Sequence, residues 1–301
     1  MKADSQLAKK IVAGDFIVTA EHLPGVTAAG SATEAALQAM GGKPVVVNMS
    51  DNSHGVAMSS VAASAVAVRS GIEPVLQMVT RDRNRIAMQS DLLGAASLGI
   101  KNVLCLSGYH QTLMGCPESA NVFDIDCTQF IELTTRMSEQ GVLADGKKID
   151  GPFSMLVGAV ANPYLKPLDL NLFRLGQKIA AGARFIQTHA VFDIETFKLW
   201  LDAVRQAGLD KKAAILASVL PLESAAEAQK LRETYAEFCI PDQVIERLKQ
   251  AGDAGAQKKE GLALCVETVK QLKALEGLRG IHILSGGKEA VVPGLVAAAG
   301  L

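Results

Sequence analysis

Short apolar runs alternate with amphipathic or alanine-rich stretches along the whole chain. Continuous apolar runs of this length are typical of strands buried on both faces, and the stretches between them suit helices that cover a sheet. The strand-like runs lie at 15–22, 44–49, 73–80, 102–108, 153–161, 184–192, 213–221 and 280–287. Helix-like stretches lie between them, for example at 85–99, 126–140, 168–181, 193–207 and 254–276.

The regularity of this alternation predicts a parallel sheet of the α/β class. Eight strand–helix units in 301 residues match the size and strand count of a (β/α)8 TIM barrel. No proline- or serine-rich linker divides the chain, so we expect a single domain over residues 1–301. The segment 233–257 is longer than a plain helix connection and predicts an extra helix near the C-terminal units.

Composition narrows the class of protein. A net charge of −1 without a basic cluster, and an aromatic content of 4%, argue against a nucleic-acid partner. No apolar stretch reaches the ~18 residues of a membrane span, and the N-terminal residues carry no signal-peptide pattern. The five cysteines are odd in number and include no CxxC pair, which suits reduced thiols. We therefore expect a cytoplasmic protein with a small-molecule partner.

Chemistry in a TIM barrel lies at the carboxyl ends of the strands. The polar residues that close the apolar runs include Glu21, His22, Asn48, Asp51, Gln77, Ser107, Gly108, Tyr109, His110, Asn162, His189 and Lys288. Glu21 follows the apolar segment FIVTA, so its carboxyl group should lie inside the mouth of the barrel. A carboxyl group among apolar walls has a raised proton affinity, which suits a general acid near neutral pH.

The chain contains, in order, FIVTAEHLPG, VVVNMSDN, EPVLQMVTRDRNR, SDLLGAASLGIKNVLCLSGYHQ, GQKIAAGARFIQTHAVFD and GIHILSGGKEAVVPGLVAAAGL. In order and spacing these segments resemble the methylenetetrahydrofolate reductase family, from about residue 8 to the C-terminus, in the single-domain form of anaerobic and acetogen-type members. The resemblance implies a flavoprotein oxidoreductase of one-carbon metabolism and methionine biosynthesis. It implies a flavin across the barrel mouth that passes a hydride to the methylene bridge of a tetrahydrofolate.

The resemblance also implies a role for individual residues. Glu21 would protonate the folate nitrogen and open the five-membered ring. The implied flavin contacts are Asn48, Asp51, Gln77, Ser107, Gly108, Asn162 and Lys178, the last two near the diphosphate. The implied substrate contacts are Tyr109, His189 and Lys288. Tyr109 stands where the family usually has an aspartate, and His189 where it usually has a glutamine that binds the pterin.

The implied cofactor is a flavin, with FAD favoured over FMN. The electron donor would be NAD(P)H or a partner subunit, and an oligomer is expected. Three alternatives stay open. The histidines at positions 22, 110, 189 and 282, with Glu21, could hold a metal or support corrinoid-linked methyl transfer on the same barrel. The chain could instead be a non-catalytic subunit of a larger complex, or a reductase homologue acting on a modified pterin. The charge run 81–85 is a solvated face, or it holds the phosphates of a cofactor or the acidic face of a partner.

Overall fold

The computed structural model describes residues 4–235 and 238–301. Its eight parallel strands follow one another in chain order and close into a barrel, because β8 also pairs with β1. The strands are β1 (Ile17–His22), β2 (Val46–Met49), β3 (Pro74–Val79), β4 (Asn102–Leu106), β5 (Leu156–Ala161), β6 (Phe185–Ala190), β7 (Ala214–Val219) and β8 (Leu278–Ile283). The predicted TIM barrel is confirmed.

Helices between the strands cover the outside of the barrel, and further helices precede the first strand and follow the last. They are α1 (Gln6–Ala13), α2 (Gly30–Ala39), α3 (Ser60–Arg69), α4 (Arg85–Ser97), α5 (Cys127–Gln140), α6 (Leu168–Ala180), α7 (Ile194–Gln206), α8 (Ala225–Thr234), α9 (Asp242–Gln250), α10 (Ala254–Lys273) and α11 (Val291–Ala299), with a short 3-10 helix at Gln111–Leu113. Helix α9 is the extra helix expected within 233–257, a segment of which Ala236 and Glu237 lie outside the described residues.

Side chains fill the lower half of the barrel, so the cavity can open only at the other end. Ile17, Val46, Val75 and other inward-facing residues form an apolar cluster that α1 closes with Leu7, which is fully buried. Phe185 occupies the space that Gly158 leaves on the neighbouring strand β5. The carboxyl ends of the strands are therefore left as the site of any ligand.

The outward-facing side of each strand packs against the helices and forms the main core. Alternation along a strand sends neighbouring residues to opposite faces. Met78, Cys105 and Ile281 thus lie in the outer core, whose largest buried members include Trp200 of α7 and Phe130 of α5. Among the described residues, no helix has both the length and the apolar character needed to cross a bilayer.

Candidate active site

A cavity of about 480 Å³ opens at the carboxyl ends of the strands, and residues of seven strands and of the loop after β2 line it. Its size lies within the ~300–1,000 Å³ that small-molecule sites occupy. The sequence-predicted residues that line it are Glu21, Asp51, Gln77, Ser107, Gly108, Tyr109, Lys178 and His189. Asn48, Asn162 and Lys288 are not among the lining residues.

Glu21 faces this cavity from the end of β1, whereas the next residue, His22, faces outward. His22 Nδ1 lies 2.7 Å from Glu289 Oε1, outside the barrel wall. Gln77 Nε2 donates a hydrogen bond of 3.1 Å to Glu21 Oε1 from β3. Burial raises the pKa of Glu21 from 4.5 to about 7; the bond from Gln77 opposes this shift and the charge of Glu289 adds to it. Both protonation states of Glu21 are therefore populated near neutral pH, as a general acid or base requires.

A layer of uncharged polar side chains forms the floor of the cavity; it comprises Thr19, Asn48, Gln187 and His282 and is called the floor layer below. Asn48 Nδ2 donates to Gln187 Oε1 at 2.7 Å, so Asn48 lies beneath the lining residues and supports one of them. His282 Nδ1 lies 2.8 Å from Thr19 Oγ1 and 3.3 Å from Gln187 Nε2. Burial lowers the pKa of His282 to about 3, so its ring is neutral at pH 7.

Asp51 is buried at the wall and its carboxylate is already engaged by the protein. It accepts a hydrogen bond of 3.0 Å from the backbone N–H of Val79, and Arg83 Nη1 donates to it at 2.6 Å. Arg81 is also buried, and its Nη1 donates to the backbone oxygen of Tyr109 at 3.2 Å. The charge run 81–85 therefore ties the loops after β2, β3 and β4 together. The sequence indicated that these residues would lie close together. Asp51 follows one strand and the arginines follow the next, and such strand ends are neighbours in a parallel barrel.

Strands β4 and β5 separate near the mouth, and Lys178 reaches the cavity there. Their pairing ends at Cys105 and Ala159, whereas β4 continues beside β3 as far as Leu106 and beyond. Lys178 Nζ donates to the backbone oxygen of Val160 at 2.8 Å. Within residues 4–235 and 238–301, no carboxylate forms an ion pair with Lys178, so its charge is available to an anionic ligand.

Ser107 and Gly108 form the wall where β4 ends. Gly108 has a φ of +82°, and a Cβ atom there would approach the Cβ atoms of Val79 and Arg81 to 3.2 Å. Both the backbone conformation and the close approach favour glycine. At this position the backbone itself, without a side chain, lines the cavity.

Four rings on three loops form an aromatic cluster at the mouth: His54, Tyr109, Tyr235 and Phe238. The ring centroids of Tyr109 and Tyr235 lie 5.3 Å apart, and His54 Nδ1 lies 3.2 Å from the Tyr235 hydroxyl. The sequence pointed to Tyr109 alone. The rings of His54, Tyr235 and Phe238 are brought to the mouth by loops. Because they do not directly follow a strand, the sequence did not assign them to the mouth.

His189 lines the cavity from β6, and burial, with a smaller contribution from the charge of Lys178, lowers its pKa to about 4. Asn162 and Lys288, which were also predicted to contact a ligand, are instead bonded to other residues of the protein. Asn162 Oδ1 accepts from the backbone N–H of Tyr164 at 2.9 Å. Lys288 Nζ forms ion pairs of 2.8 Å with Glu223 and 2.9 Å with Glu227, and Glu227 itself lines the cavity.

The alternative in which the histidines converge with Glu21 on a metal has no support among the described residues. No group of three or more His, Cys, Asp or Glu side chains among them could hold a metal ion. His22 faces outward onto Glu289, and His110 Nδ1 contacts Thr112 Oγ1 on the rim. Strand alternation and loop geometry thus separate residues that lie close to strand ends in the sequence.

These features define a TIM-barrel protein with a small-molecule cavity and one acid of nearly neutral pKa at its mouth. The chain belongs to the methylenetetrahydrofolate reductase family, a family of oxidoreductases, whose sequence model matches residues 6–300.

Individual relatives are distant. A Caenorhabditis elegans protein named probable methylenetetrahydrofolate reductase (NADPH) is 21% identical over 246 residues, which cover 81% of this chain and 34% of the relative. Methylenetetrahydrofolate reductase 2 of Saccharomyces cerevisiae is 30% identical over 119 residues, or 39% of this chain and 19% of the relative. The chain thus spans about a third or less of the length of these relatives.

A solved structure supports the fold. An uncharacterized protein from Clostridium thermocellum, described as binding two copies of 5-methyl-5,6,7,8-tetrahydrofolic acid, superposes with a TM-score of 0.66. The superposition covers 97% of each chain at 13% sequence identity.

Proposed function

We propose that this protein catalyses the flavin-dependent reduction of 5,10-methylenetetrahydrofolate to 5-methyltetrahydrofolate, or the reverse oxidation, with Glu21 as general acid. The observation that carries the proposal is the placement of Glu21: it faces a cavity of about 480 Å³, and its pKa is raised to about 7. Membership of the reductase family and the folate-binding description of the structural neighbour add support.

The residues present fit a flavin. The cavity is large enough for a ring system with a polar side chain, and the hydroxyl group of Ser218 on its wall is buried without a hydrogen-bond partner among the described residues. Gln77, Ser107 and Gly108 would contact the ring and the ribityl chain, and Lys178 would contact a phosphate. When bound, the flavin would accept a hydride and deliver it to the one-carbon unit. FAD is proposed ahead of FMN because the family resemblance favours it.

Other predicted cofactor residues would act through their neighbours. Asp51 holds the β2 loop against Val79 and Arg83, and Asn48 orients Gln187 on the floor. Asn162 shapes the loop before α6, since its backbone oxygen accepts from Asn171 Nδ2 at 2.8 Å. These contacts give the wall a fixed shape before a ligand binds, which lowers the cost of binding.

Protonated Glu21 would donate its proton to the folate nitrogen that leaves the methylene carbon. The C–N bond then breaks, the five-membered ring opens, and the remaining nitrogen stabilises an electrophilic iminium. In the reverse direction the carboxylate takes the proton back as the ring closes. A pKa close to the working pH favours both steps, and Gln77 holds the carboxyl group in place through the 3.1 Å bond.

The substrate would be held between the aromatic cluster and His189. The neutral ring of His189 has one donor and one acceptor nitrogen, as an amide has, so it can pair with the amide edge of a pterin. Tyr109, with Tyr235 beside it, offers a face for stacking. Lys288 would act at the rim, where Glu223 and Glu227 balance its charge. Because Tyr109 and His189 replace the family's usual pterin contacts, a modified pterin is the second candidate substrate.

The full chain, loaded with FAD or FMN in separate samples, tests the proposal. Anaerobic addition of 5-methyltetrahydrofolate should bleach the flavin absorbance, and Glu21→Gln should slow this by about 10²–10⁴-fold while flavin still binds. Glu195→Gln, at an exposed ion pair with Lys198, is the matched control and should react at the wild-type rate. Failure to bind either flavin, or full activity of Glu21→Gln, would refute the proposal.

The same samples distinguish the electron donors. Stopped-flow reduction with NADH and with NADPH should show which nicotinamide cofactor reduces the flavin. If neither does so within minutes, an electron-donating partner subunit is required.

A further inference from the structure

The hydroxyl group of Ser218 on the cavity wall has no assigned hydrogen-bond partner, either among the described residues or in a ligand. It lies near the end of β7, is 1% exposed, and lines the cavity. Its Oγ atom is buried and has no hydrogen-bond partner in the described part of the chain. A buried hydroxyl group without a partner costs free energy, so the protein gains when a ligand supplies the missing hydrogen bond.

His282 provides a second polar atom beside Ser218, because the two residues are paired in the register of β7 and β8. With the Gln187 amide oriented so that Oε1 accepts from Asn48 Nδ2 and Nε2 donates to Asn48 Oδ1, Nε2 also donates to His282 Nδ1 at 3.3 Å, which makes Nδ1 the acceptor nitrogen of the ring. The proton of the neutral ring is consequently on Nε2. His282 lines the cavity, so its N–H is the donor that remains for a ligand.

The hydrogen-bonding neighbours of this pair are uncharged. His282 contacts Thr19 and Gln187, and the backbone N–H of Ser218 donates to Thr188 Oγ1 at 3.1 Å. The cavity-lining cations Arg81 and Lys178 bond to backbone oxygens after β4 and on β5, across the barrel from β8 and β1. A phosphate or carboxylate group would therefore bind on the far side, whereas a neutral polar group suits this one.

We propose that Ser218 and His282 form a subsite for the uncharged cyclic-amide edge of a fused heterocyclic ring. Glu21 lies on β1, next to β8, so a ring anchored at this subsite would lie on the same side of the cavity as the acid. The inference rests on the proposed function and deepens it. Flavin and pterin rings both carry such an edge, and the experiment distinguishes between them.

The test compares Ser218→Ala with the wild-type full chain in two binding titrations, one with FAD and one with 5-methyltetrahydrofolate. Loss of the hydroxyl group should lower the affinity for the ligand whose ring occupies the subsite by about 3- to 15-fold. The melting temperature of the ligand-free variant should not fall, because no internal hydrogen bond is lost. Ser60→Ala is the matched control: Ser60 Oγ is also buried and unpartnered among the described residues, but Ser60 is on α3 and does not line the cavity.

Each outcome has one meaning. A loss of affinity in either titration, with Ser60→Ala unchanged, supports the subsite and identifies its ring. Affinities within about twofold of wild type in both titrations overturn it, as does a loss accompanied by a lower melting temperature of the ligand-free variant. If the wild-type chain binds neither ligand, the proposed function itself fails.

Discussion

The charge of Glu21 should destabilise the folded protein above neutral pH, and Glu21→Gln should remove this penalty. The carboxyl group has a pKa of 4.5 in an unfolded chain and about 7 in the cavity, mainly because burial disfavours its ionised form. Between these two values the folded state binds the proton more tightly than the unfolded state does. The penalty is therefore absent below about pH 4 and grows as the pH rises through 7.

The size of the effect follows from the difference in pKa. Each pKa unit corresponds to about 1.4 kcal/mol, so the full penalty is on the order of 3 kcal/mol. About 2–3 kcal/mol of it should develop between about pH 5 and about pH 8. The amide group that replaces the carboxyl group in the variant carries no charge, and its oxygen can still accept the hydrogen bond from Gln77.

The assay is urea unfolding of the ligand-free wild type and Glu21→Gln at several pH values. The difference between their free energies of unfolding should move in favour of Glu21→Gln as the pH rises. His189 and His282, whose pKa values are lowered to about 4 and about 3, destabilise both proteins at low pH and cancel in the difference. Parallel pH profiles would show that Glu21 titrates normally, and the general-acid argument would then fail.

Two further predictions concern the phosphate contact and the barrel interior. Lys178→Met should weaken FMN binding by about 10-fold and leave the affinity for riboflavin unchanged, because only FMN carries a phosphate. Titration calorimetry measures this, with Lys198→Met as control, and equal losses for both flavins would contradict it. Gly158→Ala should lower the free energy of unfolding by about 1–3 kcal/mol, since a Cβ atom there overlaps the ring of Phe185. Adding Phe185→Leu should recover part of this loss in urea unfolding; unchanged stability of Gly158→Ala would refute the packing argument.

Much of the fold could be predicted from the sequence because the strands are buried on both faces. Such burial requires continuous apolar runs, and their regular spacing identified eight strands and the closed barrel. The polar residues of the floor layer were harder to interpret, because Thr19, Gln187 and His282 interrupt otherwise apolar runs. Their hydrogen bonds to one another, across as many as 263 residues of chain, explain why these positions can be polar.

Part of the candidate site could also be predicted. Glu21 was predicted to lie in the mouth of the barrel because it directly follows an apolar segment. It does line the cavity, at the carboxyl end of β1. For Asp51 and Arg83 the sequence indicated only that their strand ends are neighbours, since the ion pair itself depends on loop geometry. Ser218 was missed because a serine within an apolar run carries no signal of its own.

The sequence by itself determined the order of strands and helices, and with it the barrel and the end at which polar side chains collect. Only the tertiary structure decided which of those side chains face the cavity and which are already satisfied by a partner. The physical reason is that periodicity is a property of neighbouring residues, whereas proton affinity and hydrogen bonding depend on burial and distance between residues far apart in the chain. The position of Glu21 could be predicted from the apolar segment before it, whereas the hydroxyl group of Ser218, which has no partner within the described chain, is visible only in the folded protein.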